Sequence, residues 1–342
     1  MSLLPLFLSA QDPDFSQQYA TPLNLNPALA GNFNGTYRVG GVYRDAWRAA
    51  SPVPITTYVF NGEYRFKLGR DKKNADYGAA GIKFFSDRTS IIEHNTNAIS
   101  AFFAFHKSLS EFSKSYLSVG FEAGITQKNL NYESLNFEDQ YDGITSFQGF
   151  TEEELQANNF GYGDYSLGVN YFSEINKKND INIGFTAKHL TNPNLSFWKN
   201  SESLDPDLVK VNRAGVLLGL QLITRHQLSY AVSISPRVIF KTQGPTSTQL
   251  FAGSTLRYDL NTFNNSAVHF GLFARTSNTT ESFDLAHVTP FFGFEISDML
   301  LGLSYDVNTH DIPNAYQGIG VLELSFSYTG EVIEDSAWCP EF

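Results

Sequence analysis

Along most of this chain apolar side chains recur at every second position, in stretches of about 9 to 13 residues, and that period leaves few architectures open. In Tyr116 to Ile125, the residues Leu117, Val119, Phe121, Ala123 and Ile125 share one face, while Ser118, Gly120, Glu122 and Gly124 share the other. The split repeats at Tyr165, Leu167, Val169 and Tyr171 against Ser166, Gly168 and Asn170. It repeats again at Leu322, Leu324, Phe326 and Tyr328 against Glu323, Ser325 and Ser327. One face is uniformly apolar and the other carries charges and very small residues, which describes a sheet between two different environments.

Stretches of this kind fall at about 35 to 44, 55 to 66, 77 to 86, 96 to 106, 116 to 127, 160 to 172, 181 to 190, 213 to 225, 227 to 239, 248 to 259, 266 to 275, 287 to 296, 299 to 306 and 316 to 328. Their number, about 14, is even, as single-chain bacterial barrels require. No apolar run is long enough for a helix to cross about 30 Å of hydrocarbon, so a chain of this kind crosses a bilayer only as a closed barrel. Alternate connections are short, as at Arg225-His226-Gln227 and Ser297-Asp298, whereas the two longest, 128 to 159 and 191 to 212, both fall in the set that faces outward in an outer-membrane barrel. The sequence therefore predicts an all-β fold, a transmembrane antiparallel β-barrel.

Other classes are disfavoured. A formal net charge of −11 with no basic stripe argues against a nucleic-acid partner. The lone cysteine, Cys339, excludes an intrachain disulfide and a cysteine-type zinc site, and it reads best as a small buried hydrophobe near the C-terminus. No HExxH, GxSxG, Walker or GxGxxG motif occurs, so no enzyme and no cofactor is expected. Glu152, Glu153 and Glu154 with Asp164 could hold a divalent cation, but the Thr151 to Glu154 spacing is that of a capping box and favours a short solvated helix. Inward-facing Glu122, Lys188, Arg257 and Arg275 either line a pore or form an interior network of paired charges. Trp47 and Trp198 fall near strand ends, where amphipathic rings sit at a membrane interface.

The run Gln11-Asp12-Pro13-Asp14-Phe15-Ser16-Gln17-Gln18-Tyr19-Ala20, followed by Pro22-Leu23-Asn24-Leu25-Asn26-Pro27-Ala28 and Ala30-Gly31, resembles the leading motif of mature PorP/SprF proteins of type IX secretion. Arg44 and Trp47 continue the resemblance, with Ala46 where the family usually carries Gln. The chain also closes in a similar way, through Gly302 to Asn308, Glu323-Leu324-Ser325 and the terminal Cys339-Pro340-Glu341-Phe342, with Glu341 where Arg is more frequent. The resemblance implies a Gram-negative outer membrane and a non-enzymatic part in exporting or attaching a large secreted surface protein, such as a gliding adhesin. It also implies contact with other type IX secretion components.

On this reading residues 1–10 are the remnant of a signal peptide, its apolar run ending at Ala10, and 11–34 are a periplasmic motif segment or plug. Residues 35–328 form the barrel in outer-membrane lipid, and 329–342 a periplasmic tail. The prolines at 13, 22 and 27 keep the leading segment from being an ordinary central strand. Its anchors Phe15, Tyr19, Leu23 and Leu25 either fold back into the barrel mouth or lie against a periplasmic partner. The family-motif or partner-interface residues are thus Asp12, Pro13, Phe15, Tyr19, Asn24, Asn26, Pro27, Arg44, Trp47, Cys339, Pro340 and Phe342. Two other functions fit the same strands: a passive porin or small-molecule transporter, and a secreted, soluble glycan-binding β-sandwich.

Overall fold

In a computed structural model of the protein the described residues are 13–48, 54–68, 75–89, 93–132, 135–143, 151–152, 155, 157–197, 213–243, 247–261, 266–278, 283–309 and 320–331. The proposed signal peptide remnant, Asp12, Trp198, Glu153, Glu154, Cys339, Pro340 and Phe342 lie outside them.

Fourteen antiparallel strands close into one barrel: β1 (Tyr37–Ala46), β2 (Ile55–Leu68), β3 (Asp76–Thr89), β4 (His94–Ser108), β5 (Ser115–Asn129), β6 (Asn159–Asn176), β7 (Asn179–Lys188), β8 (Leu217–Gln227), β9 (Val232–Gln243), β10 (Ser247–Asn261), β11 (Ser266–Asn278), β12 (Phe283–Ile296), β13 (Met299–Asn308) and β14 (Gly320–Gly330). Each strand pairs with its sequence neighbours, and β1 closes the ring against β14 in an unbroken register from Tyr37↔Gly330 to Ala46↔Val321. No second sheet faces this one among the described residues, which overturns the sandwich reading.

The alternation read from sequence is the alternation of the wall. Val119 is 53% exposed on the outside, while its neighbour Ser118 is 1% exposed on the inside. The outward belt continues through Phe60, Ile82, Phe103, Leu167, Leu220, Leu272 and Leu303. With strand polarity fixed, the connections 130–158 and 189–216 emerge at one end, here the loop end. The turns at 109–114, 177–178, 228–231 and 297–298 lie at the other, the turn end, beside the start of β1 and the finish of β14.

Several boundaries differ from expectation for local reasons. Gly35, at φ +146°, keeps β1 from starting before Tyr37. Gly215, at φ +72° with its N–H donated to Asn192 Oδ1, delays β8 from 213 to Leu217. The Arg225-His226-Gln227 turn does not form. Arg225 Nε instead donates to Asp180 at 2.7 Å and His226 Nδ1 meets Asn179 at 2.9 Å, which extends the β7 and β8 ladder and pushes the turn to 228–231. β14 is described from Gly320, the expected start at 316 lying outside the described residues, and it runs on to Gly330, past the expected end at 328. Ser297 and Asp298 do form a two-residue hairpin. Both have positive φ, 46° and 69°, as a turn matching the strand twist requires.

Leu167 faces outward at the middle of β6, and Ile175 faces outward near its turn end. Leu167→Arg is expected to lower the unfolding free energy in phospholipid vesicles by about 2–4 kcal/mol, and Ile175→Arg by about 0–1 kcal/mol. Denaturant titration of the vesicle-inserted barrel measures both.

Candidate functional site in the barrel lumen

Residues 13–36 thread the lumen over nearly its full height. At the turn end Thr36 donates its N–H to Gly330 O and accepts from Arg65 N, which ties the segment to β14 and β2. Moving inward, Gly31 N donates to Glu63 Oε2 at 3.0 Å, and His106 Nε2 donates to Ala30 O at 2.6 Å. A helical turn at Pro22–Leu25 and a 3₁₀ turn at Pro27–Leu29 occupy the middle, each opened by a proline whose missing N–H costs nothing there. Toward the loop end Asp14 pairs with Lys241, and Pro13 reaches the wall of a cavity beyond the segment.

Asn26 is fully buried at the centre of this seat. Its side-chain amide donates to Val169 O and Phe185 O, both at 3.2 Å, while its Oδ1 accepts from Ala28 N at 2.9 Å. The wall has been hollowed to admit it. A Cβ placed on Gly168 would stand 1.9 Å from Asn26 Oδ1, and one on Gly120 would stand 2.3 Å from Ala28 N. Glycine in a strand interior is ordinarily unfavourable, and close approach of another backbone is a reason for it.

Nearer the loop end the segment is held by charge. Glu323 on β14 is fully buried and accepts the main-chain N–H groups of Ser16 (2.9 and 3.1 Å) and Gln17 (3.1 Å). Ser16 Oγ donates to Asp306 Oδ1 at 2.8 Å and accepts from Arg275 Nη2 at 3.1 Å. The two buried acids are balanced by Arg44, 3.8 Å from Glu323, and by Arg275, 3.6 Å from Asp306. Gln17 Nε2 bridges Ser304 Oγ and Glu323 O, and the Tyr19 hydroxyl meets Ser325 Oγ at 2.6 Å. Hydrogen bonds to charged groups contribute about 1.5–3 kcal/mol each, so this cluster is a firm anchor for an otherwise irregular segment. Apolar packing completes the seat: Phe15 on Val42 and Val59, Leu23 on Ala79 and Phe102, and Leu25 and Leu29 on Ile239, Phe251, Phe273 and Phe291.

Above the segment, at the loop end, lies a cavity of about 320 Å³ whose wall comes chiefly from β3 to β6 and whose floor includes Pro13 and Asn24. Lys83 and Glu122 pair along its wall at 2.9 Å, His189 Nδ1 meets Asp164 Oδ2 at 2.6 Å, and Lys188 Nζ donates to Asn24 O at 2.5 Å.

The family described as Type IX secretion system membrane protein PorP/SprF matches residues 7–328. The chain belongs to the PorP/SprF family. No curated protein matches it significantly. Among solved structures, the TodX deltaS2 mutant monoaromatic hydrocarbon channel shares 11% identity over 92% of this chain and 94% of that chain, with a TM-score of 0.54. The Pseudomonas putida toluene transporter TodX shares 10% identity over 93% and 94%, with a TM-score of 0.50. These likenesses show the barrel fold alone. The protein is thus an outer-membrane β-barrel of type IX secretion, from a family that works with other secretion-system components and is not an enzyme type.

In this PorP/SprF barrel most of the singled-out motif residues come together. Pro13, Phe15, Tyr19, Asn24, Asn26 and Pro27 all lie in the lumen segment, and Arg44 faces its Glu323 anchor. The segment does not merely fold back into a mouth, since it crosses from the turn end to the loop-end cavity. Trp47 stands apart, half exposed just past β1 at φ 62°. Of the inward charges singled out, Arg257 pairs with Glu295, Arg275 with Asp306 and Glu122 with Lys83, while Lys188 donates to Asn24 O. Thr151 donates its hydroxyl to Asp139 and Asp164 is engaged by His189, while the capping box expected from Thr151 to Glu154 extends outside the described residues. Among the described residues no group of His, Cys, Asp or Glu is arranged to hold a metal. Sequence reasoning missed Glu63 and His106 as partners of the seat, whose signal was present only as polar residues on strands, and it quoted Ser16 and Gln17 in the leading motif without singling them out.

Gly168→Val is expected to unseat the segment while leaving the barrel closed, raising amide hydrogen exchange of residues 15–31 by at least about tenfold relative to the strands. Gly163→Ala, where an added Cβ meets nothing nearer than 4.0 Å, is the control and should leave exchange unchanged.

Proposed function

We propose that this barrel serves type IX secretion as a docking and anchoring component with its lumen occupied, supporting the export or surface attachment of a large secreted protein such as a gliding adhesin. The observation that carries this reading is the segment from Pro13 to Thr36, seated by buried charges, carved glycines and three apolar clusters. A lumen so filled is poorly suited to passing solutes, which leaves the two ends of the barrel as working surfaces.

The loop end, with its long connections, faces outward and handles the secreted client, while the turn end faces the periplasm and meets the secretion machinery. Residues 1–10 are a leader removed during export, and the apolar belt meets outer-membrane lipid. At the turn end Phe112 is 99% exposed and Tyr230 is 93% exposed, both on short turns. Aromatic side chains of this kind are common anchors at protein interfaces.

The test is affinity purification of the detergent-extracted, tagged protein from its native envelope, with mass spectrometry of what stays bound. Secretion subunits and one very large exported protein are the expected companions, and Phe112→Ala with Tyr230→Ala is expected to lose the former while retaining the latter. In planar bilayers the intact barrel is expected to be nearly silent. Removing residues 13–31 opens ion conductance, and Glu323→Gln gives intermittent openings. A silent deletion mutant sinks the role given to the segment. A freely conducting wild-type barrel that retains no partners favours small-molecule passage, the activity named for the TodX barrels that share its fold.

A further inference from the structure

The loop-end cavity abuts the lumen segment through Pro13 and Asn24. Its floor includes the lumen segment and its wall spans neighbouring strands, so it suits a compact ligand rather than a polypeptide passing through. At about 320 Å³ it lies at the lower end of the range of about 300–1,000 Å³ typical of small-molecule sites.

Its charges decide the ligand class. Lys83, Lys128 and Lys188 stand against Asp87, Glu122 and Asp164, so with neutral imidazoles the lining has no net charge. The Lys83–Glu122 and His189–Asp164 pairs are already made within the wall. A ligand with net charge would have to break such pairs and leave one partner buried without compensation, which is costly. A neutral ligand rich in hydroxyls, able both to donate and to accept, gains hydrogen bonds from the paired groups and from Thr96 and Thr126 without disturbing that balance. An aromatic hydrocarbon, by contrast, would strand these polar groups unsolvated.

A second observation points the same way. Two lining residues, His94 and Tyr162, continue into an aromatic arc: Phe160 lies 6.2 Å from Tyr162, and Phe197 packs edge-on at 4.7 Å from Phe160 and at 6.0 Å from His94. Ring faces beside hydrogen-bonding groups match the two kinds of surface on a pyranose, its C–H faces and its hydroxyl rim. We infer that this cavity is a binding site for a neutral saccharide, a terminal sugar or disaccharide presented from the loop end. The site is independent of the secretion role, since it requires only that the loop end be accessible.

Calorimetric titration of the detergent-solubilised full chain with maltose, cellobiose, lactose and chitobiose tests it, with Glu-Glu and Lys-Lys dipeptides as charged controls. At least one sugar is expected to bind saturably. Tyr162→Ala is expected to weaken it about three- to tenfold, Thr126→Val should weaken it as well, and Leu228→Ala at the opposite end should leave it unchanged. Heat-dependent gel mobility confirms that each variant still forms the barrel, and Thr126→Val decides if Tyr162→Ala does not. Absence of saturable binding by any sugar overturns the inference. So does saturable binding of a charged dipeptide alone, or sugar binding that the cavity variants do not alter.

Discussion

A backbone amide facing hydrocarbon must find its partner within the protein, and the architecture follows from that requirement. An open sheet of fourteen strands would leave two edges unsatisfied. The continuous ladder between β1 and β14 removes both, and it does so with a register that places Arg44 directly across from Glu323. Closure therefore does more than satisfy the wall. It also builds, at the seam, the charged pair on which the interior segment hangs.

The interior is an inverted version of an ordinary protein core. Outside, apolar side chains cover the surface; inside, acids, arginines, amides and hydroxyls are packed around a piece of the protein's own chain. The buried carboxylates are tolerated because each meets an opposite charge or several hydrogen bonds. Glu63 is matched by Arg38 and Gly31 N–H, and Glu295 by Arg257 and His269. Such a filling is directional. Unlike apolar packing, it specifies one path for the segment and one depth for each residue along it.

The wall was legible in the sequence because a period of two is a local signal, and each of the fourteen strands overlaps a stretch where alternation places one. What was not legible depended on contacts between distant residues. Nothing near Arg225 and His226 announces Asp180 and Asn179 as cross-strand partners, so a polar trio read as a turn continues a strand. The inward charges of β11 and β14 were visible, but their purpose depends on Ser16 and Gln17, some 260 to 310 positions away. The lumen glycines were seen as small residues of the inner face. Only the course of the segment between Asn26 and Ala28 explains why Gly120 and Gly168 carry no side chain at all.

The segment also bears on how such a barrel can be made. It touches both strands of the seam, with Gly40 of β1 beneath Ala20 and Glu323 of β14 holding Ser16, and it touches β3, β5, β6 and β7 in between. Once the ring is shut, a chain carrying helical turns and buried aromatic rings has no easy route into it. The simplest course is for the segment to be enclosed as β14 meets β1 and the ring shuts around it. The final zipping of β14 onto β1 is then the step at which a filled barrel parts from an empty one.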